Sequence, residues 1–152
     1  MSIGRTGPSY GLAERLVGAA LAESERLGAP MAVAVCDSGG HLVAFGRMDN
    51  TPLLAVQTAP AKARTAVYLR RSTAETVELA KTNPEVYGSF MTASPDFLVL
   101  SMGGEPLWDG NDLLGAVAAA GGTGAQDVDV AAAALRIWHE EPRSLWQTCE
   151  QQ

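Results

Sequence analysis

Leu12, Leu16, Ala20 and Leu27 recur at helical spacing with Ala13, Val17 and Leu21 beside them, and Glu14, Arg15, Glu23, Glu25 and Arg26 lie off that stripe. This pattern predicts an amphipathic helix over 10–27, ended by Gly28 and Pro30. Residues 31–36 are small and apolar and read as a buried strand. Asp37-Ser38-Gly39-Gly40 is a turn signature, and 42–45 supplies the return strand. A second helix starts with Thr51 as its cap; Leu53, Leu54, Ala59, Ala63, Ala66 and Val67 give it a narrow face of mostly small residues. Pro60 inside it predicts either a kink or a restart. Arg70-Arg71-Ser72 breaks the pattern. Ser72 with Glu75 signals a capped helix to about Lys81, and Asn83-Pro84 another turn through Tyr87. Residues 72–94 form a lid or rim in this reading. Residues 97–102 read as a third strand. Residues 105–108 and 113–118 form a second hairpin around Asp109-Gly110. After the break at Gly121-Gly122-Thr123-Gly124, a last helix runs over 127–139. Trp146 in the tail reads as a docking residue.

The order is helix, two strands, helices, three strands, helix, without β-α-β alternation. It predicts an α+β fold with an antiparallel sheet and helices packed on it. One domain covers 1–152, with a core over about 10–139 and a tail over 140–152.

Hydrophobic residues make up 47% and charged residues 18% of the chain, a globular balance. The net charge of −6 argues against nucleic acid or an anionic membrane as partner. No apolar run reaches the roughly 20 residues of a membrane span, and the first residues carry no signal core, so a cytoplasmic chain is expected. Cys36 and Cys149 stand in no metal or redox spacing.

No metal site is expected, because His41 and His139 have no partner at ligand spacing. His41 reads as a solvated turn residue and His139 as a helix C-terminal cap. The 121–124 stretch before a helix has the form of an anion cradle or of a plain loop. Arg47, Asp49, Lys62, Thr65 and Thr73 form the fuller constellation. Cations and hydroxyls beside an apolar sheet suit a carboxylate-bearing ligand. Equally, Arg47–Asp49 is a surface pair and Lys62 points to water.

DSGGHLVAFGRMD, AKARTAVYLRRST, GGEPLWDG and LLGAVAAAGGTGAQD together resemble the GlcG / haem-binding-protein family, which includes the C-terminal domain of PduO-type proteins. The match spans about 12–135. The resemblance implies a profilin-like five-stranded antiparallel sheet flanked by helices, and a homo-oligomer from dimer to octamer. It implies haem as a possible cofactor, with Thr73 at the position that lies by the iron in the haem-binding branch. Departures are Ser72 in place of the usual proline, Ala118 for a glycine and Ala120 for a serine. Pro60 is unusual, and no histidine matches the axial ligand of the PduO-type branch.

Two readings follow. In the first, the chain binds haem or a related planar or small carboxylated ligand through Arg47, Lys62, Thr65, Thr73, Gly121 and Gly122. In the second, it is a cofactor-free isomerase, cyclase or lyase in which Asp49, His41 or Glu105 moves a proton. A third possibility is an accessory subunit without a ligand.

Overall fold

The computed structural model describes residues 7–141. Helix α1 (Tyr10–Leu27) starts where the Ser9 hydroxyl accepts the Leu12 N–H and ends at Gly28, whose φ of 67° lets its N–H cap the Glu25 and Ser24 carbonyls. Strands β1 (Ala32–Asp37) and β2 (Leu42–Arg47) form the first antiparallel hairpin. In its turn the Asp37 carboxylate accepts the N–H groups of Gly39 and His41 at 2.9 and 3.0 Å. Helix α2 (Leu53–Leu69) follows, then α3 (Thr73–Thr82) and α4 (Pro84–Ala93). Strands β3 (Gly104–Asp109) and β4 (Asp112–Ala120) form the second hairpin, and α5 (Gly124–Glu140) closes the order.

The four strands make one antiparallel sheet in the order β2-β1-β4-β3. The long-range pairing of β1 with β4 puts the two most apolar strands at its centre. Alternation along β1 then sorts the core into two faces. Val33 and Val35 pack with Leu16 and Val17 of α1, Val130 and Trp138 of α5, Leu107 and Val117. On the other face Ala32 and Ala34 meet Ala55 and Ala59 of α2 and Ala120. Beside them Cys36 meets Ala63, Ala66, Ala116 and Ala118. An interface of alanines lets α2 lie close on the sheet, so small side chains here exclude water as well as large ones do.

Several expectations need correction. Residues 97–102 pair with no strand, so the sheet has four strands among the described residues and not five. The reason is that α2 takes over their polar groups. The Thr65 hydroxyl accepts the Val99 N–H at 3.0 Å, and Arg64 donates to the Phe97 carbonyl at 2.8 Å. Thr51 does not cap α2. Its hydroxyl lies 3.0 and 2.8 Å from the carbonyls of Met31 and Met48, and Pro52 is the residue before the helix. Helix α2 runs through Pro60 without restarting. Helix α4 continues six residues past Tyr87, and α5 begins at Gly124 because Thr123 and Gln126 form a reciprocal capping box. Trp146 and Cys149 lie outside the described residues.

Candidate functional site: a cleft at the open edge of the sheet

Lys62, Thr73, Gly104, Gly122 and Asp127 of the motif strings converge on a buried lock. Lys62 is 2% exposed, and its ammonium donates to Asp127 Oδ2 at 2.7 Å and to the Ala119 carbonyl at 3.0 Å. The other Asp127 oxygen accepts the Gly122 N–H at 3.0 Å. Burial pushes the Asp127 carboxyl above its usual range, while the Lys62 hydrogen bond, its charge and the Gly122 N–H pull it back. Thr73 is fully buried and its hydroxyl accepts the Gly104 N–H at 2.8 Å. A Cβ on Gly104 would stand 2.6 Å from the Lys62 carbonyl and 2.8 Å from Thr73 Cγ2, so only glycine lets α2, α3 and β3 meet so closely. Thr65 donates to the Ala61 carbonyl at 2.7 Å.

These placements separate the residues read from the sequence as one constellation. Lys62, Thr65 and Thr73 are closed off inside, each bonded to the protein itself. Arg47 and Asp49 are exposed at the end of edge strand β2 and in the turn after it, and form no ion pair with each other among the described residues. The anion cradle at Gly121-Gly122 is filled by the chain's own carboxylate, Asp127. His41, mostly exposed, sits 3.3 Å from Asp37. His41 and Asp49 flank β2, and Glu105 is on β3, the opposite edge, about 14 Å away at three strand spacings. These three candidate proton carriers therefore do not share a site.

Glu105 does have a site. It lines a cleft of about 490 Å³ with Arg70, Arg71, Ser72, Glu75, Pro106, Trp108, Leu135 and His139. The volume falls in the range of ligand pockets, roughly 300–1,000 Å³. Four pieces of local structure build it. Helix α2 ends on Arg70 in the left-handed region, φ 55°, whose N–H caps the Ala66 and Val67 carbonyls. That turn throws two consecutive arginines into the α2–α3 junction. Strand β3 is an edge strand, so Glu105 and Pro106 border open space. A register shift between Leu107 and Trp108 re-aims the indole. The last turns of α5 add Leu135 and His139.

The Arg70 guanidinium lies over the Trp108 ring, 5.1 Å from its centroid. Arg71 is held more firmly. Its Nε donates to the Leu69 carbonyl at 3.2 Å, and its guanidinium lies 3.5 Å from the Tyr87 hydroxyl of α4. Burial alone raises the Glu105 carboxyl above its ordinary value. The cleft thus combines two cations, Arg70 and Arg71, two carboxyls, Glu75 and Glu105, an imidazole and the apolar side chains of Pro106, Trp108 and Leu135.

Of the residues nominated from sequence, Glu105 alone lines this cleft. Arg70 and Arg71 read only as a pattern break, Trp108 as a strand residue and His139 as a cap. The arginine doublet after a helix of small apolar residues was the available signal. Among the described residues no helix is long and apolar enough to cross a membrane. Nor do any three His, Cys, Asp or Glu gather as a metal site among them.

Comparison with known proteins gives the chain a family. Protein GlcG of Escherichia coli (strain K12) is 35% identical over 109 residues, 72% of this chain and 78% of that protein. The corrinoid adenosyltransferase PduO of Citrobacter freundii is 32% identical over 123 residues, 80% of this chain. The alignment takes in only 36% of PduO, so the match covers about a third of that relative's length. The crystal structure of a PduOC:heme complex superposes with a TM-score of 0.79 at 28% identity, covering 86% of this chain and 94% of that one. The family model for haem-degrading, HbpS-like proteins matches residues 9–136. With that model matched over most of its length and a GlcG relative 35% identical, the chain belongs to the HbpS-like family.

Proposed function

We propose that the cleft between α3, β3 and α5 binds haem or a related flat dicarboxylate. The observation that carries this reading is the pair Arg70–Arg71 lining one cleft with the apolar side chains of Trp108, Pro106 and Leu135. Two adjacent guanidinium groups suit two carboxylates, each bound through charge-assisted hydrogen bonds. His139 lines the cleft and would offer the haem iron a nitrogen donor, and imidazole is a far better iron ligand than a threonine hydroxyl. The PduOC:heme relative supports the same ligand class. Bound haem would supply redox chemistry. The chain's own contribution is to hold the carboxylates at Arg70 and Arg71 and to exclude water with Trp108 and Leu135.

Hemin titration of the purified protein, followed at the Soret band, tests this. A saturable shift is expected. Arg71→Met should weaken binding, and His139→Ala should move the position of the Soret maximum. A spectrum unchanged on titration, or a shift indifferent to both substitutions, would exclude the cleft as the haem site.

A further inference from the structure

We propose that Trp108 is the platform on which the ligand's ring stacks, and that Arg70 is a displaceable cover that leaves the indole to bind the ligand's carboxylate. This rests on the reading of the cleft as a site for a flat anion, and adds which residue selects for flatness and which moves.

The two arginines of the cleft are held in opposite ways. Arg71 is partly buried, and a backbone carbonyl and the Tyr87 hydroxyl hold its guanidinium. The Arg70 side chain is exposed and makes no hydrogen bond or ion pair among the described residues; its recorded partner is the Trp108 face. Cation–π contact at an exposed site is weak, about 0.5–1 kcal/mol, so a better-matched occupant of that face displaces it readily. The Arg70 backbone, in contrast, cannot drift. Its N–H caps α2, and the Arg71 N–H bonds the Ala66 carbonyl at 3.2 Å. The guanidinium therefore swings from an anchored root beside the indole.

Trp108 is equally well placed to serve as a fixed surface. Its carbonyl accepts the indole N–H of the fully buried Trp138 at 2.9 Å, which ties β3 to α5 behind it. The register shift before Trp108 turns the ring into the cleft. A rigid aromatic face with a loosely held cation on it is a site for a conjugated ring bearing a carboxylate. The ring takes the face, and the released cation takes the anion. A flexible aliphatic dicarboxylate satisfies the cation but leaves the indole unmatched, so the site favours flat ligands.

The test uses metal-free protoporphyrin and its neutral dimethyl ester, titrated into the full chain and followed by porphyrin emission. Trp108→Leu should weaken protoporphyrin binding about tenfold, while Trp108→Phe keeps affinity within about threefold, since stacking needs only an aromatic face. Arg70→Gln should weaken the free acid and tighten the ester, because it removes the carboxylate partner and the competitor for the ring together. Circular dichroism confirms that each variant is folded, and Arg70→Gln on a surface residue decides the matter if Trp108→Leu does not fold. Equal binding of protoporphyrin by Trp108→Leu and wild type, or a same-sign response of acid and ester to Arg70→Gln, overturns the proposal. Hemin binding that persists in Trp108→Leu removes the platform and leaves the haem reading standing. Trp108-dependent porphyrin binding without any hemin shift keeps the platform and removes haem as the ligand.

Discussion

Replacing Lys62 by Met separates a structural lysine from a ligand-holding one. The ammonium and the Asp127 carboxylate stand 2.7 Å apart and are 3% and 6% exposed as side chains. At an effective dielectric constant near 20 their attraction is about 6 kcal/mol. Taking the two charges out of water costs several kcal/mol per ion, so the intact pair contributes little net stability. Removing one partner is different, because it leaves the other charge buried and unpaired. Lys62→Met should therefore destabilise the fold by roughly 3–5 kcal/mol, and also orphan the Ala119 carbonyl. For a chain of this size that lowers the melting temperature by roughly 10 °C. Urea denaturation should show a lower midpoint with an unchanged slope. Asp127→Asn keeps an acceptor for the Gly122 N–H but loses the charge, so the double variant should be more stable than the summed single losses, by more than about 1 kcal/mol. If Lys62→Met melts within about 1 kcal/mol of wild type and instead loses ligand, the lysine is a binding residue and the lock described above is wrong.

Two further outcomes follow from burial. Glu105 has its carboxyl raised by desolvation, so its protonated form is favoured by folding. Its contribution to stability is full below its ordinary value of 4.5 and is lost as pH rises through the raised one. Glu105→Gln should thus be stabilising relative to wild type at pH 7 and neutral near pH 4, as urea midpoints at the two values would show; a pH-independent difference refutes the desolvated carboxyl. Cys36 is buried and its thiol is pushed up to about 12, so it should resist a maleimide at pH 8 until the chain unfolds. A Cys149→Ser variant makes this readable by mass spectrometry, and rapid native labelling of it would contradict the packing of β1 under α2.

Periodicity and turn chemistry determined most of the fold. The stripe from Leu12 to Leu27, the run of small residues in β1 and the two glycine turns each act locally, over a span no longer than one element. The segment 97–102 misled for the same reason. Val99 and its neighbours have strand composition, but whether they pair depends on Thr65 and Arg64, more than thirty residues back.

The family motif was equally legible, yet Lys62, Thr65, Thr73 and Asp127 within it proved to be interior. Lysine, threonine and glycine in a short string carry the same signature whether they meet a ligand or Asp127, and only burial tells the two apart. The cleft was the reverse case. Arg70, Trp108 and His139 are 38 and 31 residues apart in order along the chain, without any spacing rule that joins them. Composition thus determined the elements and the family, because those depend on near neighbours. The edge position of β3, the left-handed turn at Arg70 and the packing of α5 on β3 decided the site, because a binding surface is made where distant segments come to rest together.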